Sequence, residues 1–262
     1  VSSYFDTIPH DQLMKAVAER VVDGAMLALV KRFLEAPIVD ERDGGGSKRN
    51  QQGTPQGGVI SPLLANIYLH LVDRNFRRRV ERGELSGRLI RYADDFVVMT
   101  KRPPERERSW LDKIFARLGL RLHPTKTRVL HADEESFDFL GHRIDAPRRG
   151  FYLDVSRKAL GRIRESIRQL TWNPCLSLEE LIKGLNGYIQ GARRYFRRVD
   201  RGTLSSLDYF VQARIARWSA RKHHQRRPMW WLTWDGVLWR QQGLERWYHP
   251  RRLSPAPPRS AT

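Results

Sequence analysis

The sequence predicts an α+β fold in which a mixed helix-and-strand part, residues 1–154, precedes a helical part, residues 155–245. Two observations support this prediction. Short alternating segments typical of strands occur before residue 155, and beyond it the apolar residues recur at helical spacing. The proline-rich end, residues 246–262, is predicted to be a disordered tail. The 262 residues, 40% of them hydrophobic, are enough to bury a sizeable core.

Five segments are predicted before residue 80, each for a local reason. Apolar residues at helical spacing predict two helices, and a glycine-rich stretch after an apolar run predicts a hairpin followed by a flexible loop. A serine followed by a proline predicts the start of a long helix. In order, these are helices over 10–22 and 25–34, a hairpin over 38–53, a loop over Gly53–Gly58, and a helix from Pro62 to about Arg79 with Ser61 as its N-cap.

Strands and later helices complete the pattern. Residues 86–100 form two β runs that meet at Ala93–Asp95, which predicts a strand-turn-strand unit. Ser177 and Glu180 form a capping box, which marks the start of a helix. The other predicted elements are a helix over 105–118 that stops at Gly119, short strands over 127–131, 137–144 and 151–155, and helices over 156–170, 178–198 and 203–222.

Positive charge is concentrated in the second half of the chain. The net charge is +19, from 48 Lys and Arg against 29 Asp and Glu. Residues 1–140 hold 23 basic and 20 acidic side chains, whereas residues 141–262 hold 25 and 9. Aromatic residues interleave with the arginines there, which favours phosphate contacts combined with base stacking. The sequence therefore predicts a nucleic-acid-binding half, and a merely solvated, highly charged surface is the alternative.

Two classes of protein are disfavoured by composition. No apolar run approaches the roughly 20 residues of a membrane span, so we expect no membrane partner and a cytoplasmic protein. The single cysteine, Cys175, excludes an internal disulfide and a cysteine-paired zinc site, and it favours a reducing compartment.

Two adjacent carboxylates, Asp94 and Asp95, lie between apolar runs at the predicted turn. Such a pair is suited to hold Mg²⁺, a hard cation that takes carboxylate and phosphate oxygens and stabilises the oxygens of phosphoryl transfer. Alone, the pair is weak evidence, because most acids in turns are only solvated.

Five segments give the pair its context. They occur in the order and spacing of the palm motifs of bacterial reverse transcriptases, and they resemble above all the reverse transcriptase/maturases that group II introns encode. The segments are YFDTIPHDQL, GTPQGGVISPLLANIYLHLVD, RYADDFVV, LGLRLHPTKT and FLGHRI. The resemblance covers residues 1–145 and continues more loosely through LIKGLNGYIQGARRYFRR. It implies a right-hand polymerase palm with the fingers largely missing, followed by a helical thumb or maturase domain.

The resemblance assigns roles at the nucleotide site. It implies that Asp94 and Asp95 bind the metal and that Lys126 lies near the triphosphate, where a cation neutralises or protonates the leaving pyrophosphate. Phe5 corresponds to the aromatic residue that excludes a ribose 2′-hydroxyl. The acid beside it, Asp6, is expected on the opposite side of a strand. Substrate-binding residues implied in the glycine-rich loop are Gln56 and Gly57.

Two further sets of residues would hold nucleic acid. Leu140, Gly141 and His142 resemble the hairpin that grips the primer end. Arg194, Arg197 and Arg198 are predicted to share one helix face and to contact RNA phosphates, because residues three and four apart are neighbours on a helix.

One feature departs from the family pattern. The third metal-binding carboxylate of the family would stand immediately before Val1, and the fingers motifs are missing too. We therefore expect an N-terminally truncated fragment with impaired polymerase activity on its own. With Cys175 alone, we also expect no endonuclease domain with paired cysteines.

The resemblance implies an RNA-directed DNA polymerase of the bacterial cytoplasm that needs Mg²⁺ and has a splicing role. Its partners would be an intron RNA template, a DNA primer or target, and dNTP substrates, with the oligomeric state left open. Two alternatives remain. One is another bacterial class, namely a retron, CRISPR-associated or diversity-generating reverse transcriptase. The other is a polymerase-dead module that only binds RNA.

Overall fold

The computed structural model of the chain describes residues 4–39, 47–48, 52–54, 58–147, 150–228, 238 and 242–247. The fold is mixed helix and strand, in agreement with the predicted class. The chain divides into two compact units, Val1–Val129 and Leu130–Thr262. The predicted boundary after residue 154, between the palm and the helical domain, stays a prediction, because the division into compact units does not test it.

The first unit contains five helices and two antiparallel hairpins among its described residues. In chain order these elements are α1 (Tyr4–Thr7), α2 (His10–Ala18), α3 (Gly24–Glu35), β1 (Ile38–Val39), β2 (Ser47–Lys48), α4 (Ser61–Glu81), β3 (Arg88–Tyr92), β4 (Asp95–Met99) and α5 (Glu105–Arg117). β1 pairs with β2, and β3 pairs with β4. The predicted hairpins are thus confirmed, although the glycine-rich tip of the first lies outside the described residues.

The core of the first unit lies along α4. The buried residues of this helix recur at helical spacing and so form one face. Tyr68 on this face is fully buried, and its hydroxyl oxygen lies within hydrogen-bond distance of Gln12 Oε1 (2.7 Å) and of the Leu118 carbonyl oxygen (2.8 Å). Burial raises the pKa of Tyr68 well above its usual range. One face of the β3–β4 hairpin packs on this core, with Phe96 stacked on Phe115 of α5 at a centroid distance of 5.6 Å.

The described residues of the second unit form a small sheet and three long helices. Its elements are β5 (Phe137–Phe139), β6 (His142–Asp145), β7 (Tyr152–Val155), α6 (Arg157–Leu170), α7 (Leu178–Tyr195) and α8 (Arg201–Lys222). The strands form an antiparallel sheet in the order β5-β6-β7. Side chains from all three helices share one core. The capping box is confirmed, since Ser177 and Glu180 each accept from the backbone N–H of the other.

Three predicted local structures are wrong. Phe5 and Asp6 lie in the single turn of α1 and not in a strand. Helix α4 begins one residue early, with Ile60 as the N-cap and Ser61 already buried inside the helix. The described residues 127–131 form no strand, because no neighbouring segment pairs with them and Val129 is left exposed.

The predicted end of one helix and the predicted start of the tail are also corrected. Helix α7 ends at Tyr195 and does not reach Arg198, because the buried side chains of Phe196 and Val199 turn the backbone into the core. The predicted tail does not start at residue 246. Trp247 is only 1% exposed, and its backbone N–H donates to Asp208 Oδ1 (2.8 Å). Residues 248–262 lie outside the described part of the chain.

Candidate active site

The acid pair lies at the tip of the β3–β4 hairpin. Tyr92 pairs with Asp95, so Ala93 and Asp94 form a two-residue turn between the strands. Ala93 adopts a left-handed conformation with φ 51°. A residue with a Cβ atom is strained in that region, and such strain is concentrated at functional sites. The turn therefore holds its acids in a conformation that is costly without support from neighbouring residues.

That support comes from Arg91, which sequence reasoning missed. Its guanidinium forms a two-pronged ion pair with Asp73 of α4, with Nη2 2.6 Å from Oδ2 and Nε 2.9 Å from Oδ1. Its Nη1 donates to the Ala93 carbonyl (2.8 Å) and to Asn66 Oδ1 (2.9 Å). The side chains of Arg91 and Asp73 are only 11% and 27% exposed. One arginine thus connects the turn to α4.

The carboxylates themselves are left available. Asp94 is half-buried and Asp95 is exposed. Within the described ranges, neither has a hydrogen-bond or ion-pair partner, although basic side chains outnumber acidic ones in the chain. No protein cation among the described residues neutralises these carboxylates, so both remain available to a divalent cation from outside. Their oxygens are the ligands that a hard cation prefers.

Phe5 lies beside the start of the glycine-rich loop. The ring is half-buried and packs against the core of the first unit. Its carbonyl accepts from the Thr54 N–H (2.6 Å), and the Gly53 N–H donates to the Ile8 carbonyl (2.8 Å). A Cβ atom at Gly53 would lie 2.5 Å from the Phe5 carbonyl oxygen, so only glycine fits there. The loop that carries Gln56 and Gly57 therefore starts against Phe5, while those two residues lie outside the described structure.

Lys126 lies in a turn after α5. Its side chain is exposed and has no ion-pair partner in the part of the chain that the structure describes. The turn is closed by a hydrogen bond from the Thr127 N–H to the His123 carbonyl (3.0 Å). A positive charge is therefore available on the first unit, as its predicted role requires.

The predicted primer-gripping residues form the β5–β6 turn of the second unit. Leu140 and Gly141 both have positive φ values, 49° and 75°, between paired Phe139 and His142. The Leu140 carbonyl accepts from the Tyr195 hydroxyl (2.7 Å) at the end of α7. The His142 ring lies 5.1 Å from Tyr195 and 5.0 Å from Phe196, measured between centroids. The hairpin is thus fastened to the end of α7.

The three predicted RNA-binding arginines lie next to this fastening. Arg194 is in the last turn of α7, and Arg197 and Arg198 follow in the turn beyond it. All three side chains are exposed, and none has a partner among the residues described. They form a cluster around the helix end rather than the predicted stripe along one helix.

The described residues contain neither a larger metal-binding cluster nor a membrane-spanning helix. Among these residues, no three side chains of His, Cys, Asp or Glu come together to hold a metal ion. No helix in the same set is long and apolar enough to cross a membrane.

Comparison with known protein families gives two matches. Residues 1–144 match reverse transcriptase (RNA-dependent DNA polymerase). Residues 160–236 match the group II intron, maturase-specific domain. The first match contains the acid pair and Lys126, and the second contains Arg194, Arg197 and Arg198.

Curated relatives with similar sequences include two proteins that are named for introns. Protein YkfC of Escherichia coli (strain K12) is 29% identical over 218 residues, which is 70% of this chain and 56% of that protein. Group II intron-encoded protein LtrA of Lactococcus lactis subsp. cremoris is 23% identical over 252 residues, 69% of this chain and 41% of that protein. Nuclear intron maturase 4, mitochondrial, of Arabidopsis thaliana is 27% identical over 168 residues, 62% of this chain and 19% of that protein.

The chain thus spans little more than half of the first relative and less than half of the other two. Reverse transcriptases generally use divalent metal ions and bind nucleic acid, which suits the available carboxylates and the basic second unit. The resemblance seen in the sequence motifs is confirmed. The chain belongs to the reverse transcriptase (RNA-dependent DNA polymerase) family, in the form that carries a group II intron maturase-specific domain.

Proposed function

We propose that this chain forms the palm, residues 1–154, and the helical thumb or maturase domain, residues 155–245, of a group II intron-encoded reverse transcriptase. The protein extends a DNA primer on intron RNA from dNTP substrates and helps the intron RNA to fold for splicing. The observation that carries the proposal is the pair of partnerless carboxylates, Asp94 and Asp95, on a strained turn that Arg91 holds in place.

The residues present fit Mg²⁺. The donor set is two carboxylates, one half-buried and one exposed, so the cation would keep several waters and reach substrate phosphates. When bound, the ion supplies positive charge to the reacting phosphoryl oxygens. Asp94 and Asp95 hold it, and Arg91 keeps their backbone in position.

The other residues of the first unit bind and select the nucleotide. Lys126 places a positive charge where the pyrophosphate leaves. The Phe5 ring excludes nucleotides with a 2′-hydroxyl by steric clash, and Gln56 and Gly57 contact the incoming nucleotide. In the second unit, Leu140, Gly141 and His142 hold the primer end, supported by the bond from Tyr195.

A metal titration tests the acid pair directly. We expect Mn²⁺, a paramagnetic probe for Mg²⁺ sites, to bind the unmodified chain and to bind Asp94→Asn and Asp95→Asn much more weakly. Asp112→Asn is the matched control, because Asp112 is an exposed carboxylate of the same unit that already pairs with Arg108 (3.2 Å). Equal binding by all four proteins would remove the metal-site assignment.

Primer extension on an RNA template tests the reaction, with these residues placed in a full-length reverse transcriptase. Asp94→Ala is expected to reduce extension about a thousandfold or more, since metal coordination contributes several kcal/mol to transition-state stabilisation. RNA binding should stay nearly unchanged, because the carboxylate serves chemistry and not affinity. Undiminished extension by the variant would refute the catalytic assignment. We also expect the present chain alone to extend a primer only weakly.

Salt dependence tests the arginine cluster. Replacing Arg194, Arg197 and Arg198 with Ala is expected to weaken binding of structured RNA and to reduce the slope of log affinity against log salt by up to about three phosphate contacts. The matched control replaces three exposed arginines of the first unit, Arg82, Arg106 and Arg117. A slope equal to that of the unmodified chain would identify the cluster as a solvated surface.

The same assays separate the alternatives. The maturase-domain match favours the group II intron class over retron, CRISPR-associated and diversity-generating enzymes. A polymerase-dead binding module would bind RNA with the predicted salt slope, yet show no extension that depends on Asp94.

A further inference from the structure

An exposed tryptophan lies in the turn between α6 and α7. Trp172 is 72% exposed, although it is a large, mostly apolar side chain. The Arg221 guanidinium of α8 lies over its ring, 5.5 Å from the centroid. Arg221 Nη2 is itself held by the carbonyls of Thr171 (2.6 Å) and Trp172 (3.3 Å). One face of the indole is therefore covered by a fixed cation, and the high exposure leaves the opposite face open to solvent.

Further cations of α8 surround this turn. Arg214 Nε donates to the Thr171 hydroxyl (3.0 Å), and burial, followed by repulsion from Arg221 and Arg217, lowers the pKa of Arg214. Arg217, one turn before Arg221, is exposed and has no partner within the described residues. The nearby acid, Glu165, already pairs with Arg168 (2.9 Å). Positive charges are thus held close together with no matching acids among the residues that the structure describes.

Helix capping explains only part of this arrangement. Arg221 bonds the carbonyls just past the end of α6, and Arg214 bonds the hydroxyl of the C-cap residue Thr171. Both cations also interact favourably with the dipole of α6, so capping accounts for them. Capping requires neither an exposed indole with an open face nor the unpaired charge of Arg217. An aromatic face beside unpaired arginines is the combination that binds single-stranded nucleic acid, since every base has a face that stacks.

We propose that Trp172, Arg217 and Arg221 form a binding site for one unpaired nucleotide of a nucleic acid strand. The base stacks on the open face of Trp172, and a neighbouring phosphate pairs with Arg217 and with the outer edge of Arg221. This site rests on the proposed function, because it names the kind of strand that the second unit holds. It is separate from the arginine cluster at the end of α7.

The experiment measures affinity of the full chain for fluorescein-labelled oligonucleotides of one length, as single-stranded RNA, single-stranded DNA and duplex RNA. Trp172→Ala is expected to weaken binding of single-stranded RNA about 5- to 100-fold. Its salt slope should be unchanged, because stacking releases no phosphate counterions. Trp172→Phe should keep most of the affinity, whereas Trp172→Leu, which keeps apolar bulk without a ring, should lose it. Duplex binding should not change.

Two other variants complete the design. Arg217→Gln is expected to reduce the salt slope by about one phosphate contact. Phe151→Ala is the matched control, because Phe151 is an exposed aromatic residue (66%) of the same unit, and its removal should leave affinity unchanged. Thermal melting of each variant checks the fold, and Trp172→Leu replaces Trp172→Ala if the alanine variant unfolds.

The outcomes are distinguishable. Equal affinity of Trp172→Leu and the unmodified chain for both single strands would overturn the site while leaving the proposed function intact. An equal loss for duplex RNA would also overturn it, since paired bases have no free face to stack. Failure of the unmodified chain to bind any RNA would overturn the proposed function together with the site. A loss confined to RNA, or to DNA, identifies the strand that the site serves.

Discussion

The two hairpin tips share a design and differ in what completes them. The β3–β4 tip and the β5–β6 tip are both two-residue turns that contain a side-chain-bearing residue with positive φ, Ala93 and Leu140. At the second tip the unit itself supplies the contacts, because Tyr195 bonds the Leu140 carbonyl. At the first tip only the backbone is held, through Arg91. The acids there have no partner among the described residues.

This difference indicates different roles. A turn whose side chains are packed by its own unit positions a strand end and contributes shape. A turn whose backbone is fixed while its charged side chains are left available is organised for a ligand from outside, since paired acids would not be free to bind one. The comparison therefore supports the proposed chemical role of the first tip and the proposed positioning role of the second.

Removing the backbone support of the first tip is expected to have the largest effect. Arg91→Ala leaves the partly buried Asp73 carboxylate with only His70 beside it (Nδ1 to Oδ2, 3.9 Å), and it frees the Ala93 carbonyl. Breaking such a pair costs about 3 kcal/mol of unfolding free energy. Arg91→Lys keeps the charge but loses the two-pronged geometry, so we expect an intermediate loss. Urea denaturation measures both.

Arg74→Ala is the control for this prediction. Arg74 also forms a two-pronged pair, with Glu19, but both side chains are more exposed, at 31% and 44%. Exposed pairs contribute little, because solvent screens them. Similar losses for Arg91→Ala and Arg74→Ala would show that burial and the bond to the turn add nothing.

Removing one hydroxyl tests the second tip. Tyr195→Phe deletes the bond to Leu140 and keeps the ring contacts, so we expect a loss of about 0.5–1 kcal/mol. Tyr152→Phe is the control, because the Tyr152 hydroxyl is exposed and has no partner in the described part of the chain. Amide hydrogen exchange at the Phe139–His142 pair reports the local effect. If exchange there is equally fast in both variants, the Tyr195 hydroxyl does not stabilise the turn.

The sequence predicted the first tip well because its signals are local. Strand alternation on both sides of Ala93–Asp95 determined the turn. The same alternation contains a signal for Arg91. Arg91 shares strand parity with Leu89, which packs on the core, so a charged residue there requires a partner. The partner itself, Asp73, could not be identified, because the pairing joins a strand to a helix 18 positions earlier.

Other features depend on tertiary packing and are not visible in local patterns. The end of α7 follows from burial of Phe196 and Val199, although the helical spacing continues toward Arg198. Trp247 lies next to a proline-rich end, and only its packing in the second core separates it from that end. Trp172 and Arg221 meet across 49 positions. Propensity and periodicity carry no information about such contacts.

The smallest predicted effect concerns the strain at the first tip. Ala93→Gly removes the Cβ atom that makes φ 51° unfavourable, so we expect the free energy of unfolding to rise by about 0.5–1 kcal/mol. Ala28→Gly is the control, because Ala28 is exposed within α3, where glycine is expected to cost about 1 kcal/mol. The same substitution should therefore have opposite signs at the two positions.

Activity measurements show whether the left-handed conformation of Ala93 helps to position the acids. A glycine at position 93 widens the range of backbone conformations beside Asp94, so primer extension and Mn²⁺ affinity should fall while stability rises. Arg91 still holds the carbonyl of residue 93, which limits the loss to a few-fold in affinity. If stability rises with no change in metal affinity or extension, the left-handed turn is an incidental feature, and the carboxylates are positioned by the strands alone.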